Sequence, residues 1–316
     1  MAILQRRTSA SQDDLPLVVG GLALASVLEL AILRLFTRTA IHIPALEHLQ
    51  QPYAWLSEGG RFAYFVSVAL LVPALLLLTF ALARRSPLAA SSVILFALAA
   101  AAGAAGNIDH AVVDLATIGA IGFLAAAFAS LLRAPASASP ACFGIAFVAG
   151  GAYSVLPEVA PAGQPGWLLD AAEYTGLGFA ISTPLLLGRA PTRGGYITGV
   201  AVTLLVALVF MGNTATSRFL LLWNVGLAGS MPGVLYAAAA GAIAVTALEM
   251  FRTGRRLEAA GMLLLVTGGI GLHSTYQSGL VVVGLAALVI AAKDRHALAE
   301  QSPSTPELTG EPISLR

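Results

Sequence analysis

From Leu15 to Ala292 the chain consists of apolar runs broken at short intervals by polar or Pro/Gly-marked connections. A helix needs about 20 mainly apolar residues to cross the hydrocarbon of a bilayer, and most of the runs approach that length. They fall at residues 15–36, 62–83, 88–105, 111–132, 141–156, 168–187, 196–212, 232–251, 259–272 and 278–292. The pattern predicts an all-α fold, a polytopic transmembrane helical bundle of ten spans. The last two runs are short, and each borrows residues from the turn between them. The transmembrane domain covers residues 15–293, after a polar tail at 1–14. The first run is too long for a signal-peptide core and has no clear cleavage site, so it reads as a membrane helix. Residues 294–316 are polar and rich in Pro, Ser, Thr and Glu, and are expected to be a disordered tail.

Two connections break the simple alternation. Residues 37–60 contain His42, Glu47, His48, Gln50, Gln51, Tyr53 and Trp55. Residues 45–55 read as a short interfacial helix that Pro52 would interrupt, with Tyr and Trp at headgroup level. From Phe219 to Phe251 the chain is apolar for too long for one upright helix and too briefly for two. Gly226, Gly229, Pro232 and Gly233 mark a break, so residues 218–231 read as a re-entrant segment before the eighth span. Irregular backbone at that depth is tolerated only in contact with protein or a water-filled cavity.

Charge placement agrees with this count. With the N-terminus cytoplasmic, Arg84 and Arg85, Arg133, Arg189 and Arg193, and Arg252, Arg255 and Arg256 all fall on the cytoplasmic side. Arg6, Arg7, Lys293 and Arg295 join them, and the opposite side receives only Arg38, Arg61 and Arg218. This is a positive-inside asymmetry, with both termini cytoplasmic. Composition points the same way: 58% of residues are hydrophobic and 10% charged, against about 25% charged in soluble domains. The lipid bilayer is therefore the main partner. A net charge of +1 offers nothing to nucleic acid. The single Cys142 excludes an internal disulfide and a CxxC site. The 32 glycines and the Ala-rich runs at 99–105 and 237–240 predict close helix packing.

A charge in the hydrocarbon costs roughly 2.5–3.5 kcal/mol on insertion scales, so each one needs a reason. His110 and Asp114 are four apart and share a helix face, while Asp109 is placed to cap the fourth span. Their plain role is to cap and orient that helix, and their functional role is to line a pocket. Asp170, Glu173 and Tyr174 open the sixth span on one face. They are dipole partners, or two acids sharing a proton, a cation or an arginine. Glu29 lies about 21 Å along the first helix, with Arg34 beyond it. It serves either an ion pair between helices or, as a buried carboxylate, a proton acceptor. His273 and Gln277 flank the last extracytoplasmic turn with Tyr276. His42, His48, His110 and His273 all lie on that side, and His296 lies in the tail. No HExxH, HxH or Cys-pair metal signature occurs. Histidines on facing helices ligate haem axially, which makes His110 and His273 the expected metal pair. Glu249 with Arg252 and Arg256 reads as an interface ion-pair group.

The expectation is an integral, multi-pass cell-membrane subunit of a redox or respiratory assembly, working with other subunits. Its extracytoplasmic pocket would bind a quinone headgroup or haem b through His110, Asp114, Asp170, Glu173, Tyr174, His273 and Gln277. Glu29 and Asp109 would relay protons, and no residue is assigned as catalytic. The alternative is a secondary transporter of a small solute or ion, with a broken helix near Pro232 and Thr183, Thr203, Thr246 and Thr267 near the midplane. A third reading, an intramembrane His/Asp enzyme, finds neither a serine elbow nor a paired DxxxD to support it.

Overall fold

The computed structural model describes residues 2–36, 50–104, 180–212, 233–269 and 275–301, together with residues 119, 122, 126 and 178. Among the described residues all regular structure is helical. Helix α1 (Ala2–Glu29) continues without a break as a π-helix, π1 (Leu30–Phe36). Next come α2 (Gln50–Arg85) and α3 (Pro87–Ala104), and then a single 3-10 turn at Leu185–Leu187. The remaining helices are α4 (Arg193–Gly212), α5 (Gly233–Arg252), α6 (Arg256–Gly269) and α7 (Thr275–Gln301). The expected span at 141–156 and most of those at 111–132 and 168–187 lie outside the described residues, as do the re-entrant tract at 218–231 and residues 302–316. Residues 119, 122, 126, 178 and 180–182 are helical.

The helices follow the apolar runs but overshoot them where the polar flanks allow. Helix α1 begins at Ala2, so the tail expected at 1–14 is helical. Residues 2–14 contain no Gly or Pro to stop the helix running back into the polar segment. Helix α2 begins at Gln50, and the expected interfacial helix forms its opening turns. Pro52 does not interrupt it. In the first turn of a helix, an N–H has no intrahelical acceptor to lose. Helix α7 runs to Gln301, so the tail expected to be disordered from 294 starts as helix. Gly254 has φ 78, and this left-handed residue lets the chain end α5 and reverse into α6. The Arg255 N–H donates to Met250 O at 2.9 Å and closes the turn.

Four helices form a ring: α1 packs on α2 and α6, and α7 closes the circle between α6 and α2. Outside the ring, α3 lies on α2, α5 lies on α6, and α4 lies on α5. Leu22, Leu78, Leu82, Met262, Leu264 and Leu265 are fully buried between them. Glycines set the spacing. A Cβ at Gly261 would meet Gly284 O at 3.0 Å, and one at Gly284 would meet Gly261 O at 2.9 Å. Helices α6 and α7 thus touch backbone to backbone. The same device joins α4 and α5, where a Cβ at Gly241 would lie 2.7 Å from Gly199 O.

The outward faces are apolar. Leu17 is 76% exposed, Phe65 67% and Phe80 73%, and Leu204 and Leu205 are exposed on α4. Two described helical stretches are long and apolar enough to cross a membrane: Asp14–Leu33, with mean hydropathy 2.1, and Trp55–Arg85, with 2.6.

The glycine contacts give a direct test. Gly284→Ala is expected to cost about 1–3 kcal/mol, because the new methyl group meets backbone atoms that cannot yield. Nothing lies within 4 Å of a Cβ at Gly20, so Gly20→Ala should be neutral or stabilising by up to about 1 kcal/mol. Thermal unfolding of both purified variants checks the pair.

Candidate functional site

The ring has two chemically different ends. At one end lie the close of α2, the start of α6 and the close of α7, where a single cleft is lined by Arg84, Arg85, Leu257 and Asp294. Helix α5 ends beside the start of α6. Arg84, Arg85, Arg189, Arg252, Arg255 and Lys293 therefore gather at this end.

Most of these cations are engaged. Arg85 grips Asp294 through two bonds, of 2.7 and 3.0 Å. Lys293 Nζ donates to Arg85 O at 2.6 Å, so α2 and α7 are clasped where they end. Arg255 pairs with Glu258 at 2.5 Å. The Glu249 side chain is wholly buried. It accepts from Thr192 Oγ1 at 2.6 Å and from Thr192 N at 3.1 Å. Arg189 Nη2 and Arg252 Nη1 each lie 3.3 Å from it, and Arg252 also contacts Thr192. Of the group expected as Glu249 with Arg252 and Arg256, the structure pairs Glu249 with Arg252 but not with Arg256; Arg189 and Thr192, from the turn before α4, take part instead, brought near by the folding of α4 onto α5.

Towards the opposite end, the described residues inside the ring include a set of hydroxyl-bearing side chains and the buried carboxylate of Glu29. Ser26 and Glu29 are three apart on α1 and share a face. Ser26 is buried and Glu29 only 5% exposed. Ser26 Oγ lies 3.0 Å from Thr267 Oγ1 on α6. On the other side of the ring, Ser67 Oγ on α2 is 2.6 Å from Tyr276 Oη on α7. Ser67 donates to Tyr64 O at 2.8 Å, which leaves the Tyr276 hydroxyl as donor to Ser67. The Tyr64 and Tyr276 rings meet edge to face with centroids 5.0 Å apart. All four ring helices therefore place a polar side chain in this half.

Glu29 stands where the backbone changes. It ends the α-helical part of α1, and π1 starts at the next residue. Wider π turns occur mostly within α-helices and frequently at functional sites. Space for π1 comes from Gly60 of α2, where a Cβ would meet Leu33 Cγ at 2.7 Å and Ile32 Cγ2 at 2.8 Å. The arrangement offers a buried carboxylate in the half of the ring that also holds the Ser26–Thr267 and Ser67–Tyr276 pairs.

Of the pocket residues expected from the sequence, Asp109, His110, Asp114, Asp170, Glu173, Tyr174 and His273 lie outside the described residues. Gln277 lies in the first turn of α7, directly after Tyr276. Glu29 is buried. Ser26, Tyr64 and Ser67 escaped sequence reading because serines and tyrosines are unremarkable in apolar helices. The i, i+3 spacings of Ser26 with Glu29 and of Tyr64 with Ser67 are the signals that point to them. The threonines considered for a carrier sit at helix crossings. Thr246 bonds Thr183 at 3.0 Å, Thr267 pairs with Ser26, and Thr203 Oγ1 lies against Gly241. Among the described residues no group of three His, Cys, Asp or Glu side chains could hold a metal ion. No protein-family model, curated protein or solved structure matches the chain.

Two measurements test these contacts. A double-mutant cycle of Ser67→Ala and Tyr276→Phe should give a coupling of about 0.6 kcal/mol, the usual value for hydrogen bonds between helices in lipid. Thr192→Val takes a hydroxyl from the buried Glu249 carboxylate. It is expected to cost about 1.5–3 kcal/mol, seen as a lower Tm that Thr192→Ser largely restores.

Proposed function

We propose that the chain is an integral multi-pass subunit of a respiratory-type redox complex in the cell membrane, and that Glu29 accepts a proton from a quinol oxidised near the extracytoplasmic face. The observation that carries this reading is a carboxylate buried at the junction of α1 and π1, in a ring whose other helices supply Ser67, Thr267 and Tyr276 to the same half. The apolar outward faces of α1, α2 and α4 favour lipid as the surrounding solvent. The arginine-bearing end is cytoplasmic in this reading, by the positive-inside rule. The chain crosses the bilayer ten times, and both termini are cytoplasmic.

In the proposed chemistry a quinol gives up two electrons and two protons. His110 and His273 would hold haem b, which would supply a one-electron acceptor; otherwise the electrons leave one at a time to a redox centre of another subunit. The protons pass to Glu29 and Asp109 and then to the outside. His110, Asp114, Asp170, Glu173, Tyr174, His273 and Gln277 line the headgroup pocket. A carboxylate held within hydrogen-bond reach of a quinol hydroxyl is the kind of group that serves as proton acceptor in such a step.

A second reading is a secondary transporter of a small solute or ion. The change from α- to π-helical geometry beside Glu29 favours it, because π turns within helices are frequent at functional sites.

One experiment separates the two. The protein is purified from membranes in mild detergent, its visible spectrum is recorded, and retained quinone is measured by mass spectrometry. The redox reading expects bound quinone or a Soret band. Glu29→Gln should keep the wild-type Tm while slowing quinol oxidation in native membranes by roughly 10²–10⁴-fold, the range for loss of a positioned proton acceptor. Absence of both cofactors, with solute movement by the lone protein in liposomes, would establish the carrier instead.

A further inference from the structure

At the arginine-bearing end, α1, α2, α6 and α7 leave between them a cleft of about 1000 Å³. Its walls are apolar: Leu15 and Pro16 from α1, Leu77 and Phe80 from α2, Leu257 from α6 and Ile290 from α7. Its rim is basic, with Arg84 and Arg85 in successive positions at the end of α2. The two arginines are not equivalent. Arg85 is bound in both directions, to Asp294 and back to Ala81 O at 3.0 Å. Asp294, the acid on the rim, is thereby neutralised. Arg84 is exposed and meets no acidic partner among the described residues. Phe80, one turn before Arg84, is 73% exposed, and Leu76 and Leu17 are also exposed. Together the features form an apolar cleft, an adjacent apolar face, and a free guanidinium at the level where the apolar helix ends.

We infer that this cleft is a binding site for an anionic glycerophospholipid of the leaflet at the arginine-bearing end. Its phosphate lies against Arg84, and an acyl chain descends between Leu77, Phe80, Leu15 and Ile290. The charge pattern selects the occupant. A zwitterionic lipid brings its own cation to Arg84 and gains little, and a free phosphate leaves the apolar walls uncovered. An anionic lipid satisfies both parts, and basic pockets between membrane helices recognise such headgroups. The clasp of Arg85, Asp294 and Lys293 holds α2 and α7 at a fixed separation and so preserves the cleft. The inference rests on the membrane reading above and is independent of the redox chemistry.

The test is lipid-dependent thermal unfolding of the purified, delipidated full chain in detergent. Phosphatidylglycerol, phosphatidylcholine and inorganic phosphate are titrated separately. Phosphatidylglycerol is expected to raise the Tm saturably, while the other two leave it near its starting value. Arg84→Gln should unfold at the wild-type temperature without lipid and need about fivefold more phosphatidylglycerol for half the shift, the loss that one basic side chain facing an anionic headgroup carries. Arg84→Lys should restore most of the response. Equal shifts with phosphatidylcholine, an equal shift with phosphate alone, or an unchanged titration for Arg84→Gln would each overturn the assignment. Loss of quinone or haem retention would leave it standing. Recovery of the chain from cells without detergent would overturn both it and the membrane reading.

Discussion

Between Gly261 and Gly284 there is no side chain on either helix, so the carbonyl of each lies against the backbone of the other. That close approach is the constraint on which the described bundle depends. In lipid, apolar side chains gain little by turning from hydrocarbon toward one another, and association relies on dense packing and interhelical hydrogen bonds. Both need helix axes brought close together. Gly199 and Gly241 do the same for α4 and α5. The two tight pairs meet through α5 and α6, whose connecting turn needs Gly254 in a left-handed conformation.

Close approach also explains where the hydroxyl groups went. Ser26 with Thr267, Ser67 with Tyr276, and Thr183 with Thr246 all bridge separate segments at short range. Such pairs form only where two backbones are near enough for short side chains to span the gap. Their cost of burial is offset by mutual bonding and by bonds to carbonyls of their own turn, as Thr183 and Ser26 make to Ala180 and Ala23. Glu29 is buried as well, and it stands next to a stretch of altered helical geometry that Gly60 accommodates. Where a rule of regular structure is broken beside a buried acid, function is the usual reason.

The two ends divide the work. At the arginine-bearing end, ion pairs clasp neighbouring segments: Arg85 with Asp294, and Arg189 and Arg252 with Glu249. These bonds hold the helix ends in place and leave Arg84 facing outward over apolar walls. Towards the other end, the buried polar groups described within the ring include the hydroxyls of Ser26, Ser67 and Thr267 and the carboxylate of Glu29.

The sequence by itself determined that the described part of the chain is helical and where most of its helices lie, because long apolar runs without strand-like alternation favour helices. α3, α4 and α5 begin and end within a few residues of the runs at 88–105, 196–212 and 232–251. Glu29 stood out because a charge inside such a run is costly. Sequence could not place the polar ends of α1, α2 and α7, since solvated residues follow a helix or leave it at similar free energy. Pro52, read as a breaker, became harmless once the helix started two residues earlier. Only the tertiary structure decided which polar groups meet. Ser26 and Thr267 are 241 positions apart, and Ser67 and Tyr276 are 209 apart. Hydropathy carries no information about which helix faces which, because that choice rests on the shape of glycine-lined surfaces packed against each other.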